Sequence, residues 1–385
     1  MKQLRIRNFG PIREAVLDID RIAVIIGMQS SGKSSLLKMA CYCSWVEKRI
    51  QLTQSDKLFQ GPDVFRDFFV YYYGLKDYFR LDTVVEYSSP YISFSYGENG
   101  FSFSWSPKHW GFRRPKVQYI PSERNIASFI PNWMNIPARG GFLEFLSEWD
   151  SARKTLPKEE NILQLDLSYA YDKVRDTNTI ITTEGTSLPL SDSSSGLQSL
   201  IPLYLLIDYL HTEQDNTMVA KKELTLEQRI EREKLISTIY NKVRKGDEYE
   251  PTEINLEGKT FSFPNPKAAT RFMNRCSRYL YTDHCELFLE EPEQNLYPPT
   301  QSQLVDWLWE KTYNSKRKHT LLVNTHSPYI LNEFCKLYCE GMDLYVTYPD
   351  KENPTFHNLK KLTDEEVNEI YINGVDLFFN SAAYV

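Results

Sequence analysis

Residues Gly27 to Ser34 read GMQSSGKS, standing directly after the apolar run IAVII at Ile22 to Ile26 and directly before SLLKMA, which reads as a helix. A buried strand, a glycine-rich turn and a helix in that order predict a phosphate-binding loop. The glycines let backbone N–H groups curl around a β-phosphate, Lys33 reaches the β- and γ-phosphates, and the Ser34 hydroxyl takes a place on Mg²⁺. The expected phosphate-binding set is therefore Gly27, Gln29, Ser30, Ser31, Gly32, Lys33, Ser34 and Ser35. An ordinary surface turn is the competing reading. A chance match of the loop alone occurs in roughly 3% of chains this long, and the flanking strand and helix lower that several-fold.

At 385 residues the chain can build two or three hydrophobic cores, or one large core with an inserted lobe. Its formal net charge of -6 does not mark a global nucleic-acid binder, although a local basic groove fits beneath that average. The apolar stretch LIPLYLLIDYL at Leu200 to Leu210 contains Asp208 and is too short to span a bilayer. The opening MKQLRIRNFGPI has charges where a signal peptide needs an apolar run, so the expectation is a cytoplasmic protein without a membrane partner. Six cysteines, none in CxxC spacing, read as reduced core thiols.

Along the chain, Leu4 to Phe9 and Ala15 to Ile19 alternate as short strands that feed the Ile22 strand, and Ser34 to about Glu47 forms the first helix. Segments TVVEYSS, YISFSYG and FSFSWSP predict an antiparallel meander, and KVQYIP a further strand. Gly141 to Leu156 has helical spacing; Ile180 to Leu190 reads as a hairpin that delivers the chain to SDSSSGLQSL and a helix over Leu197 to Leu210. The charged stretch His211 to Glu253 has helical periodicity over Leu224 to Val243, and Pro266 to Tyr281 is a basic amphipathic helix. CELFLEEPEQN and HTLLVNTHSPYIL are strands ending in polar residues, with a helix over Thr300 to Thr312 between them. This βαβ order implies a mostly parallel α/β core.

Glu290 and Glu291 follow the short buried strand Leu287 to Leu289, at the end where parallel sheets hold ligands. Glu290 suits the anchoring of Mg²⁺ through water, and Glu291 suits polarising a water in line with the γ-phosphate. His326, at the end of LLVNT, can hydrogen-bond to that phosphate or water; a satisfied structural histidine is the alternative.

The ordered set GMQSSGKS, SSSGLQS, LFLEEPE and NTHSPYIL resembles the nucleotide-binding domain of ABC-type ATPases. Within them the chain is most similar to the group of chromosome-maintenance proteins, RecF and Rad50 repair proteins and overcoming-lysogenization-defect nucleases. RIRNFGPI and YIPSERN also resemble small stand-alone ATPases of bacterial anti-phage defence systems. The resemblance implies an α/β P-loop NTPase of ABC ATPase type, with a mostly parallel core sheet, an antiparallel β subdomain and a helical insertion. Its parts would be an ATPase core over 1–60 and 257–385, the β subdomain over 61–125, a helical lobe with the signature motif over 126–210, and a charged insertion over 211–256.

ATP and Mg²⁺ are the implied cofactors. Ser195, Gly196 and Gln198 match the signature motif, with Leu197 replacing its second glycine; in the family this motif caps the γ-phosphate held by the other subunit. Lys33, Glu291 and His326 match catalytic positions, and Ser34 and Glu290 metal-binding ones. Glu293 to Leu296 corresponds to a dimer-contact loop. The γ-phosphate-sensing glutamine, a further metal contact, falls on Gln118, with Glu123 or Arg124 as alternatives.

The implied partner is a second copy in the ATP-bound state, alone or within a larger assembly. A switch of this kind would control a separate effector such as a nuclease, with a phage protein as trigger, as Septu and PARIS systems divide the labour. A RecF-like repair ATPase that clamps double-stranded DNA is the alternative, with Lys311, Lys316, Arg317 and Lys318, and Lys222, Arg229, Arg232 and Lys234, as basic clusters. Intrinsic nuclease activity would need a further acidic domain, and the 59 residues after His326 offer only acids such as Asp364, Glu365 and Glu366. A transporter ATPase would lack the large insertion.

Overall fold

The computed structural model describes residues 1–130, 137–155, 159–212, 225–247 and 249–373. β1 (Lys2–Phe9) and β2 (Ile12–Ile19) form an antiparallel hairpin, and β3 (Ile22–Ile26) leaves it with all five residues buried. α1 (Lys33–Thr53) outruns the sequence expectation because Val46 and Ile50 continue its buried face at a spacing of four. α2 (Val64–Tyr73), which sequence reading missed, buries Phe65 and Phe69 at the same spacing. The aromatic-rich strands β4 (Phe79–Ser88), β5 (Ile92–Gly97) and β6 (Gly100–Trp105) form the expected meander.

β7 (Pro115–Ile120) and α3 (Gly140–Thr155) lead into a four-stranded antiparallel sheet of β8 (Glu160–Asn161), β9 (Leu167–Asp172), β10 (Thr177–Thr182) and β11 (Ser187–Pro189). Only its last hairpin was legible in the sequence. α4 (Ser195–Thr212) follows, then α5 (Leu226–Val243), the hairpin β12 (Thr252–Leu256) and β13 (Lys259–Phe263), and α6 (Pro266–Leu280). β14 (His284–Glu290), α7 (Pro298–Thr312) and β15 (Thr320–Asn324) make the expected βαβ unit. α8 (Pro328–Lys336), β16 (Met342–Pro349), β17 (His357–Lys361) and α9 (Asp364–Asn373) complete the described chain.

The main sheet has eleven strands in the order β6-β5-β4-β1-β2-β17-β16-β3-β15-β14-β7. From β16 to β7 every pair is parallel; from β2 to β6 every pair is antiparallel; β17 joins the halves, antiparallel to β16 and parallel to β2. The fold is thus a mixed α/β sheet of P-loop, ABC-ATPase-like type with the expected antiparallel block, which is hydrogen-bonded to the core through β1 rather than set apart from it.

Alternation along β3 separates two cores. Ile22, Val24 and Ile26 face a layer with side chains of α3, α4, α7, α8 and α9, while Ala23 and Ile25 face α1, α2 and the meander. A third core unites α5, α6, β12 and β13 around Ile239, Phe261 and Phe272. Five of the six cysteines are buried and none is bridged, matching the reading as core thiols. Among the described residues no helix is long and apolar enough to cross a membrane.

Candidate functional site

The phosphate loop leaves the C-terminal end of β3, where the parallel strands β14, β15 and β16 flank it. Gly27 has φ 145°, and a Cβ there would meet Thr347 Oγ1 at 1.8 Å, so β16 leaves room for no side chain. Ser31 Oγ lies 2.6 Å from the same threonine hydroxyl, which ties the loop to β16. Ser35 Oγ donates to Gly32 O at 2.7 Å within the first turn of α1.

Lys33 is buried, and its Nζ donates to Gly27 O and Met28 O at 2.8 and 2.7 Å. Burial pulls its pKa down to about 8 against the opposing pull of Glu291 and Glu293. Gln29, Ser30, Ser31, Gly32, Lys33, Ser34 and Ser35 line a cleft of about 380 Å³ together with Glu291 and His326. The structure thus brings seven of the eight expected loop residues, Lys33 among them, and the other two expected catalytic residues, Glu291 and His326, to one place.

Asn324, which sequence reasoning missed, organises this cleft. Its Nδ2 donates to Ser34 Oγ at 3.0 Å, and its Oδ1 and backbone oxygen accept from Glu291 N at 3.1 and 3.0 Å. The two acceptors hold Glu291 at φ 42°, a left-handed conformation uncommon outside glycine, asparagine and aspartate. His326 Nε2 lies 3.4 Å from Glu291 Oε1, while its backbone N–H donates to Glu293 Oε1 at 2.7 Å. The hydrogen bond from His326 holds the Glu291 carboxyl below the usual carboxylate range, with Lys33 and Arg124 adding to the shift.

Glu290 is the register partner of Asn324 across β14 and β15, and it is buried. Burial raises its pKa, opposed by Lys38, whose Nζ is 3.4 Å from Oε1, and by a hydrogen bond with Tyr119; Glu123 pushes it further up. Glu290 itself does not line the loop cleft; Lys38, which pairs with it, does, and so does the expected metal partner Ser34. Among the described residues no cluster of three or more His, Cys, Asp or Glu could hold a metal by itself, so phosphate oxygens would have to complete the shell.

Gln118 does not line the cleft: it sits inside β7 with Nε2 donating to Tyr119 O at 2.8 Å. Arg124, also missed in this role, is fully buried and spends all five N–H groups on carbonyls. Nη1 donates to Pro121 O and Glu290 O, Nη2 to Glu291 O and Pro292 O, and Nε to Ser199 O, at 2.7 to 3.2 Å. Burial lowers its pKa to about 10. One guanidinium thereby ties the carboxylate-bearing end of β14 to α4.

Ser195 opens α4, away from the residues that line the loop cleft. A Cβ on Gly196 would meet Asn295 O at 2.8 Å, so the 293–296 loop lies directly on this helix end. Gln198 does not point to the loop cleft; its Nε2 donates to Ser191 O and Ser193 O at 2.8 and 2.9 Å, which fixes the turn before α4. Of the basic clusters, Lys311 pairs with Asp208 at 2.6 Å, Arg232 pairs with Glu257, and Lys222 lies outside the described residues.

No family model matches the chain, and no curated protein matches it. Among solved structures, the SMC head domain from Thermotoga maritima aligns over 94% of this chain and 98% of its own, at 11% identity and TM-score 0.43. An Smc head domain with a coiled coil and joint derived from Pyrococcus yayanosii aligns over 97% and 99%, at 9% identity and TM-score 0.30. A nucleotide-free ATP-binding cassette from an ABC transporter aligns over 98% and 97%, at 10% identity and TM-score 0.31. The fold assignment itself rests on this chain's strand order and on the loop at the end of β3.

Proposed function

We propose that the chain is a Mg²⁺-dependent ATPase working as a two-subunit switch. The observation that carries this reading is Asn324, whose one side chain joins the Ser34 hydroxyl to the Glu291 backbone at the mouth of the phosphate loop. In this reading Lys33 exchanges its two loop carbonyls for β- and γ-phosphate oxygens. Ser34 and Glu290 hold the metal, which would supply charge neutralisation between the phosphates. Glu291, kept ionised by its histidine neighbour, orients a water rather than taking its proton outright, and His326 stands where it reports on the γ-phosphate.

Ser195 would close the cleft of a second copy, presenting the free N–H groups of a helix start to the triphosphate. Glu291→Gln should abolish hydrolysis and leave ATP-dependent dimers in light scattering; monomers throughout, with ATP and Mg²⁺ saturating, would overturn the composite site.

The switched process in this proposal is anti-phage defence, with a separate effector such as a nuclease and a phage protein as trigger. Its support is the resemblance of RIRNFGPI and YIPSERN to small defence ATPases. Unchanged phage plating on deleting the gene, with no effector gene beside it, counts against this role. The RecF-like alternative draws on Arg278 and Lys316 to Lys318, which line a cleft of about 730 Å³ at the N-terminal ends of β14 and β15. Retention of duplex DNA that needs ATP and falls with salt favours it.

A further inference from the structure

A second cavity, of about 240 Å³, lies where α1 meets α5 and α6. Trp45, Leu235 and Tyr279 form apolar walls, and four cations, Lys48, Arg49, Arg114 and Arg232, outnumber the two carboxylates, Glu144 and Glu231, in the polar lining. Two of its cations are neutralised locally: Arg49 makes a two-armed pair with Glu231 at 2.8 and 2.6 Å, and Arg232 pairs with Glu257. The other two are not. Among the described residues neither the Lys48 ammonium nor the Arg114 guanidinium has a hydrogen-bonded or ion-paired acceptor, and Arg114 Nε is fully enclosed without one. Glu144 also lines the cavity; it is exposed and makes no ion pair with either, although its charge acts on Lys48 through space.

Two half-buried cations that face one cavity without a hydrogen-bonded or ion-paired acceptor are costly to a folded protein, and an anion that joins them relieves the cost. Burial, together with the charges of Arg114 and Lys116, presses the Lys48 pKa down to about 7, against Glu144 and Glu148. The cavity is smaller than the ~300 Å³ at which drug-sized ligand pockets begin. An arginine fork beside a lysine point charge matches the oxygens of a phosphoryl dianion in both geometry and charge.

We infer that this cavity is a binding site for a small phosphorylated anion, inorganic phosphate or a phosphate monoester with a compact flat body. It is distinct from the phosphate loop: Lys48 lies fifteen residues beyond Lys33 on α1, about 22 Å along the helix. The inference does not depend on the nucleotide reading of the loop. An occupant would bridge α1, whose first turn carries the loop, to α5 of the charged stretch, giving that stretch a ligand-dependent grip on the ATPase core.

The test uses the full chain with Lys33→Ala, so that the loop cannot account for binding, titrated calorimetrically with inorganic phosphate, phenyl phosphate and acetate. Saturable binding of phosphate is expected, tighter for phenyl phosphate if Trp45 and Tyr279 hold the body, and absent for acetate. Lys48→Met and Arg114→Met should each weaken it about tenfold or more. Without ligand, each variant should melt at or above the parent temperature, because a half-buried charge without an ion-paired acceptor has been removed. Absence of saturable phosphate binding, binding indifferent to both substitutions, or lower melting of both unliganded variants would overturn the inference.

Discussion

Arg124 shows how far a single side chain can set the site without touching a substrate. Its five carbonyl partners span Pro121 to Pro292 in sequence, and losing the planar fork leaves several of them buried and unmet. Arg124→Lys keeps the charge but should cost about 3 kcal/mol in urea unfolding, and the proposed ATPase activity should fall with it as the ends of β14 and α4 lose their tie. Lys33 gives a test in pH. Its free-state pKa near 8 lies below that of an ordinary lysine, and a bound triphosphate favours the ammonium form. ATP binding should therefore take up a proton above pH 8 and weaken from pH 7 to pH 9, read by calorimetry in buffers of different ionisation heat. The loop, the two glutamates and His326 were legible because each is a local pattern at a strand end. Asn324 and Arg124 were not, because apart from the Arg124 bond to Pro121 their roles are hydrogen bonds to residues 33 to 290 positions away. The one available signal for Asn324 was an amide closing an otherwise apolar strand.

At the scale of elements, α5 is the most self-contained piece of the charged stretch. Thr225 and Gln228 form a reciprocal capping box at its start, and Arg49 of α1 grips Glu231 on its first turns. Thr225→Ala should cost about 1 kcal/mol, seen as faster hydrogen exchange at the start of α5 with the exchange of β3 unchanged. Helical periodicity made this helix readable, as it did α3, α6 and α7. The hairpin β12–β13 escaped because TEINL and KTFSF are half-exposed and short, so their burial comes from α5 and α6 rather than from their own alternation. α2 escaped for the opposite reason: its aromatic density mimics a strand, and only the spacing of Phe65 and Phe69 betrays a helix.

For the molecule as a whole, three cores of different composition imply unequal resistance to opening. Ile25 sits in the sheet centre and Ile239 in the core beneath the charged stretch, both fully buried. Truncating either to alanine should cost about 2–5 kcal/mol. Ile25→Ala is expected to raise exchange throughout the main sheet, whereas Ile239→Ala should raise it in α5, α6 and the β12–β13 hairpin first. The parallel half of the sheet was legible from its buried runs, but the joining of the halves was not, since β17 touches β2 through very few register pairs. That late strand also dictates a schedule. Although β2 and β3 are separated by only two residues in the chain, they are not neighbours in the sheet, and the gap is filled by β17 and β16 from the far end of the sequence. During synthesis, the early hairpin with its meander and the loop-bearing strand must therefore wait side by side, unjoined, until His357–Lys361 has cleared the ribosome. The loop cleft, whose Gly27 and Ser31 lean on Thr347 of β16, can take its final shape only once that late strand has been made.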